Sequence, residues 1–175
     1  MATLNECLDA AEQHLGFREP RARAIAKRLT EAGILPAGGP GRPPELDETD
    51  FVRLLIALAV NSQLRRSDEI VRVYSELAPH GTNLQGAPNS LVKTAFDQLA
   101  ILADIALHGD APLVRKAKVE FVSTWPEIAI HDYGATARFR EVGADASHWN
   151  SGKHRSSTVI NGAAFVDAIE ELFGE

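Results

Sequence analysis

Apolar positions recur every three or four residues along most of the chain and every second residue near its C-terminal end, so the pattern predicts helices followed by a small sheet. Leu4, Leu8, Ala11 and Leu15 form a helical stripe. Thr3 is available as N-cap with Glu6 three positions on, and the helix ends near Gly16. Pro20 suits the first turn of a second helix whose Ala22, Ile25, Ala26, Leu29 and Ala32 share one face, with Gly33 as its stop. Asp47 or Thr49 caps a third helix carrying Phe51, Leu54, Leu55, Leu58 and Ala59. A fourth, about Ser67 to Leu77, places Ile70, Val71, Tyr74 and Leu77 together.

The Gly-, Pro- and Asn-rich stretch from Ala78 to Ser90 marks an internal boundary, either a linker or a long loop. Beyond it, Ser90 is placed to cap a long apolar helix with Leu91, Ala95, Leu99, Leu102 and Ile105 in line, expected as the central buried helix or a dimer seam. From Lys118 the period falls to two in KVEFV, EIAIH and ATARFRE, broken by Trp125-Pro126 and Tyr133-Gly134, which predicts an antiparallel sheet. ADASHWNSGKHRSS has no period and reads as a loop, STVI as a short strand, and GAAFVDAIEELF as a terminal helix covering one sheet face and exposing Asp167, Glu170 and Glu171. The expected fold is α+β and mostly helical, divided into residues 1–78 and residues 90–175, the second part available for dimerisation or partner binding.

Composition adds bounds. At 175 residues, with 45% hydrophobic and 24% charged positions, the chain is ordinary for a soluble protein and contains no run approaching the roughly 18 apolar residues of a membrane span. MATLNECLDAAEQ carries acids and no basic segment before an apolar core, unlike a secretory signal. The single Cys7 rules out an intramolecular disulfide and fits a reducing cytoplasm, where the protein is expected to reside.

The net charge is -6, yet between Arg18 and Arg42 six basic residues (Arg18, Arg21, Arg23, Lys27, Arg28 and Arg42) face two acids, Glu19 and Glu31. A localised positive patch on an acidic chain is what a small nucleic-acid footprint requires. A helix burying Ile25 and Leu29 can lie in a major groove with its outer cations toward base edges, while PAGGPGRPP supplies a loop able to approach the backbone closely. The competing reading makes these cations a solvated helix face and the loop a plain connection.

The order of a helix, a basic helix ending in EAGILP, a Gly/Arg loop and LDETDFVRLLIAL resembles the DNA-binding half of MerR-type winged helix-turn-helix proteins, over about residues 4 to 75. Similar wings occur in phage excisionases and in the small terminase subunit of lambda-type phages, and IAKRLTEAGILPAGGPGR is similar to the start of phage and prophage proteins. The resemblance implies an N-terminal winged helix-turn-helix-like module in which Lys27 contacts base or phosphate, Arg42 is the basic residue of the wing, and Arg21 and Arg23 meet phosphate or base edges near the helix N-terminus. The chain departs from the MerR pattern after the wing, continuing into an apolar helix and a small sheet in place of a long coiled coil, and its GFREP segment is longer than the usual tight turn.

Other chemistry is weaker. His131, Asp132, His148 and His154 lack metal-site spacing, and Ser147, His154 and Asp132 lack a nucleophile elbow. PAGGPGRPP has no Lys-Ser/Thr pair and follows no strand, against nucleotide binding. Cys7 reads as a small core or surface residue rather than a nucleophile, and Trp125 and Trp149 are both candidate interface anchors, with core packing the better role for Trp125; Lys153, His154 and Arg155 form either a second nucleic-acid contact or a solvated loop. The sequence therefore predicts a small phage-type protein that binds double-stranded DNA as a homodimer, either a transcriptional regulator or a DNA-recognition subunit. It is expected to be no enzyme and to need neither cofactor, metal nor membrane. The alternative is an adaptor or inhibitor that keeps the winged fold as scaffold and meets a protein through its C-terminal sheet.

Overall fold

The computed structural model describes residues 1–132, 134–144 and 154–174. Among them are seven α-helices and two antiparallel sheets, an α+β architecture. Strand β1 (Ala2–Thr3) leads into α1 (Leu4–Gln13), where the expected box forms, with Thr3 capping the Glu6 amide and Glu6 reaching back to the Thr3 amide. Helix α2 (Glu19–Glu31) carries Pro20 in its first turn and buries Ala22, Ile25, Ala26 and Leu29. After a loop, β2 (Glu45–Leu46) returns to pair with β1 in the register Ala2 with Leu46 and Thr3 with Glu45.

Helix α3 (Glu48–Val60) begins at Asp47, whose carboxylate accepts from the Asp50 amide at 2.8 Å. Every residue from Phe51 to Val60 except Arg53 is buried, because α3 packs against α2, α4 and α5 and against two strands of the large sheet. Each fully buried Leu here contributes about 1.5–3 kcal/mol of apolar burial. A single 3-10 turn, Leu64–Arg66, joins it to α4 (Ser67–Ser75), which buries Ile70, Val71 and Tyr74 as expected.

Two expectations about the middle of the chain are corrected. The helix expected from Ser90 begins later, as α5 (Ala95–His108), because Thr94 and Asp97 form a reciprocal capping box while Leu91 stays 52% exposed. The central buried helix is α3 rather than α5, since α5 keeps Ile101 and Asp104 in solvent. The stretch from Ala78 also contributes a strand, β3 (Ala78–Pro79), to the large sheet. A further helix, α6 (Ala111–Lys116), was not signalled by periodicity, being too short for more than one buried position, Val114.

The predicted strands form: β4 (Lys118–Val122), β5 (Glu127–Asp132), β6 (Ala135–Arg140) and β7 (Ser157–Asn161). With β3 they make one antiparallel sheet in the order β3-β6-β5-β4-β7. Val119, Phe121, Ile128, Ile130, Phe139 and Ile160 join the helices in one core cluster. The terminal helix α7 (Gly162–Phe173) packs beside β7 against α1, α5 and α6, while α3 lies on β4 and β7. Gly162 is required at this junction, where a Cβ would sit 1.9 Å from the Val114 carbonyl oxygen. Acids of α7 expected in solvent are partly engaged: Arg115 pairs with Asp167 at 2.7 Å and Glu170 at 2.9 Å, and His14 lies 2.6 Å from Glu171.

Candidate nucleic-acid interface

Helix α2 turns its apolar stripe inward, so helical spacing sends Arg21 and Arg28 to one flank, Arg23 to the other, and Ala24, Lys27 and Glu31 along the outermost line. The flanking arginines are occupied. Arg21 donates to the Ser62 carbonyl at 2.6 Å, bracing α2 against the turn after α3. Arg28 pairs with Asp68 of α4 at 3.0 Å. Burial raises the Asp68 pKa, but the Arg28 hydrogen bond and charge, together with the hydrogen bonds from the Asp68 and Glu69 amides, outweigh it and hold the carboxyl below the usual aspartate range. Arg23 bonds Glu19 in its own helix and Asn5 Oδ1 in α1 at 3.0 Å.

Lys27 is 78% exposed and loosely paired, its Nζ 3.9 Å from Glu31. Arg18 and Arg42 are exposed, and their side chains have no partner among the described residues. The loop bearing Arg42 is tight, with the Arg42 amide donating to the Gly39 carbonyl at 3.0 Å. Gly38 makes this closure possible, because a Cβ there would meet the Arg42 carbonyl oxygen at 2.4 Å. Between Arg18 and Arg21 a small cleft of about 230 Å³ opens beside the N-terminus of α2, with Phe17, Leu58 and Asn61 in its wall.

The fold brings further cations to this side that periodicity did not single out. Arg65 and Arg66 lie in the 3-10 turn that contacts α2, Arg65 exposed and Arg66 clasping Glu69 at 2.9 Å. Arg72 of α4 is exposed and donates to the Ala32 carbonyl at 3.4 Å. The paired arginines in LRRS, directly before a helix, were the available signal. Comparison with family models, with curated proteins and with solved structures finds no match. The chemistry of the surface has to be argued from the side chains themselves.

The second cluster lies on the sheet face turned away from the helices. Glu127, 1% exposed, accepts from Arg138 at 2.6 Å, Arg140 at 2.9 Å and Arg155 at 3.2 Å. Arg155 also pairs with Glu120 at 3.0 Å and stands over the Trp125 ring at 5.7 Å from its centroid. Both earlier readings of Arg155, nucleic-acid contact and solvated loop residue, are therefore corrected: two carboxylates and an indole hold it against the sheet. Burial raises the pKa of both glutamates, yet the hydrogen bonds they accept win and hold both below the ordinary range.

His131 sits 3.1 Å from Glu120 Oε2 and 3.1 Å from Thr136 Oγ1, on the opposite pleat of β5 from Asp132. Among the described residues no group of three His, Cys, Asp or Glu is placed to hold a metal ion. His154 is exposed, and Ser147, His148, Trp149 and Lys153 lie outside the described residues. Cys7 is buried in α1, and burial, with Glu6 and Asp50 nearby, pushes its thiol up to about 12, so it stays protonated and unreactive at neutral pH. No described helix is long and apolar enough to cross a membrane.

Proposed function

We propose that this protein binds double-stranded DNA through the outer face of α2, with Arg42 on its loop as a second, wing-like contact and the Arg18–Arg65 side as a phosphate-binding flank. One observation carries the reading: α2 is clamped on three sides, to α1 through Arg23, to the turn after α3 through Arg21 and to α4 through Arg28, while Lys27, Arg18 and Arg42 remain outward and available. A braced helix with one exposed lysine on its outer line, and exposed arginines before it and on the following loop, suits a groove-reading element. The β1–β2 pairing ties the base of the Arg42 loop to the start of α1, which supports a winged helix-turn-helix arrangement. The Lys27–Glu31 pair is solvent-exposed, worth about 0–1 kcal/mol, and is exchanged for phosphate at little cost.

In this reading the protein is a phage-type regulator or DNA-recognition subunit, and a two-fold pair doubles a footprint that one short helix leaves small. The test is fluorescence anisotropy with a random duplex at two salt concentrations. Arg18→Glu/Lys27→Glu/Arg42→Glu should lose binding at least tenfold, and the salt slope should shrink by about 0.9 per lost phosphate contact. Salt-insensitive binding, or affinity unchanged in the triple variant, refutes the reading and moves the function to a protein partner.

A further inference from the structure

Between α5, α6 and the β5–β6 hairpin lies a groove of about 330 Å³ that the DNA-binding reading does not use. It exists because of residue size. The inner sheet face is filled by Ile128 and Phe139, but at the hairpin end the cross-strand pairs become Ile130 with Ala137 and Asp132 with Ala135. Alanine methyls leave uncovered a space whose far walls are Leu102 and Ile105 of α5 and Leu113 of α6. Leu113 is 39% exposed, a large apolar side chain left at the rim.

The groove is apolar except for Gln98 and one charged group, Asp132. Asp132 Oδ1 is closed to solvent and has no hydrogen-bond partner among the described residues. A carboxylate oxygen in that condition is rare in a folded protein, because that oxygen has surrendered water without gaining a donor, although Asp132 as a whole is half-buried. Asp132 lines the groove, and the terminal carboxylate torsion is broad, so its two oxygens can exchange orientation as a donor arrives there. The volume lies at the lower end of the range of small-molecule sites, and an apolar lining with one oriented polar group is their usual composition.

We infer that this groove is a binding site for a small organic cation, an aryl- or alkylammonium whose apolar body lies against Leu102, Ile105 and Ala137 and whose ammonium donates to Asp132. Charge selects the occupant. A neutral alcohol of the same shape donates only an uncharged hydrogen bond, and an anion opposes the carboxylate directly, whereas an ammonium supplies the missing donor as a charge-assisted hydrogen bond. The inference stands independently of DNA binding.

The experiment is isothermal titration calorimetry of the full chain with phenethylammonium chloride, beside 2-phenylethanol as the neutral probe of the same shape. Phenethylammonium should bind saturably and at least tenfold more tightly than 2-phenylethanol. Asp132→Asn should remove that preference, and Ala137→Phe, at an exposed position that fills the groove, should abolish both signals while far-UV circular dichroism stays unchanged. Absence of saturable phenethylammonium binding overturns the inference. Equal affinity in Asp132→Asn, or binding that survives Ala137→Phe, overturns it as well.

Discussion

Glu127 is the residue whose environment is most demanding. It is enclosed in the sheet face with Arg138, Arg140 and Arg155 around it, and Arg140 is itself only 6% exposed. Removing one member of a buried ion pair costs far more than the pair contributes, because the remaining charge stays desolvated. Glu127→Gln should therefore destabilise the protein by about 3 kcal/mol, measured by urea unfolding at pH 7. The pH dependence has a definite sign. Burial raises the Glu127 pKa, but the hydrogen bonds from Arg140 and Arg138 lower it further, so the folded value lies below the unfolded one near 4.5. The stability from this group is complete above that value and disappears as pH falls through the folded pKa. Between pH 7 and about pH 3 the wild type should lose more stability than Glu127→Gln, and equal losses would show the cluster to be energetically idle.

At the scale of elements, local capping decides where helices start. Thr3, Asp47 and Thr94 each form a reciprocal box with an acid three residues on. Thr3 was legible because it precedes an unbroken apolar stripe with Glu6 in place, and Asp47 was legible only as one of two candidates beside Thr49. Thr94 was not, since Leu91 extends the stripe one turn too early and Ser90 is an equally good cap by residue type. The Ala95 amide explains the later start: it donates to the Leu77 carbonyl at 2.8 Å, anchoring the first turn against the end of the preceding helical region. Thr94→Ala should cost about 1 kcal/mol in chemical denaturation and Ser90→Ala almost nothing. The reverse order of effects would place the helix start at Ser90.

For the molecule as a whole, the decisive fact is that one cluster of buried side chains runs from Ala2 to Ile169. Helix α3 stands in its middle, touching α2 and α4 on one side and α5, β4 and β7 on the other. Residues 1–78 alone would expose the face of α3 that now meets the sheet and α5. Calorimetry of the full chain should give a single cooperative transition, and a fragment of residues 1–78 should lack cooperative unfolding. Two separated transitions in the full chain would instead establish the expected boundary at 78–90 as a true domain division.

Apolar periodicity was enough to set out the type and order of most elements, because a 3.6-residue or two-residue repeat states which face must leave water whatever it meets. It also placed Lys27 on the outer line of α2, since Ile25 and Leu29 turn the opposite face inward. Tertiary structure alone decided which cations are available. Asp68, Ser62 and Asn5 are distant in sequence from the arginines they engage, and no local pattern announces them. It decided likewise that Arg155 joins Glu120 and Glu127 and that two alanines face Leu102 and Ile105 across a gap. Periodicity records a residue's preference for water or core, a property of its own side chain. Pairing and empty space depend on two surfaces meeting, and only the folded chain brings those surfaces together.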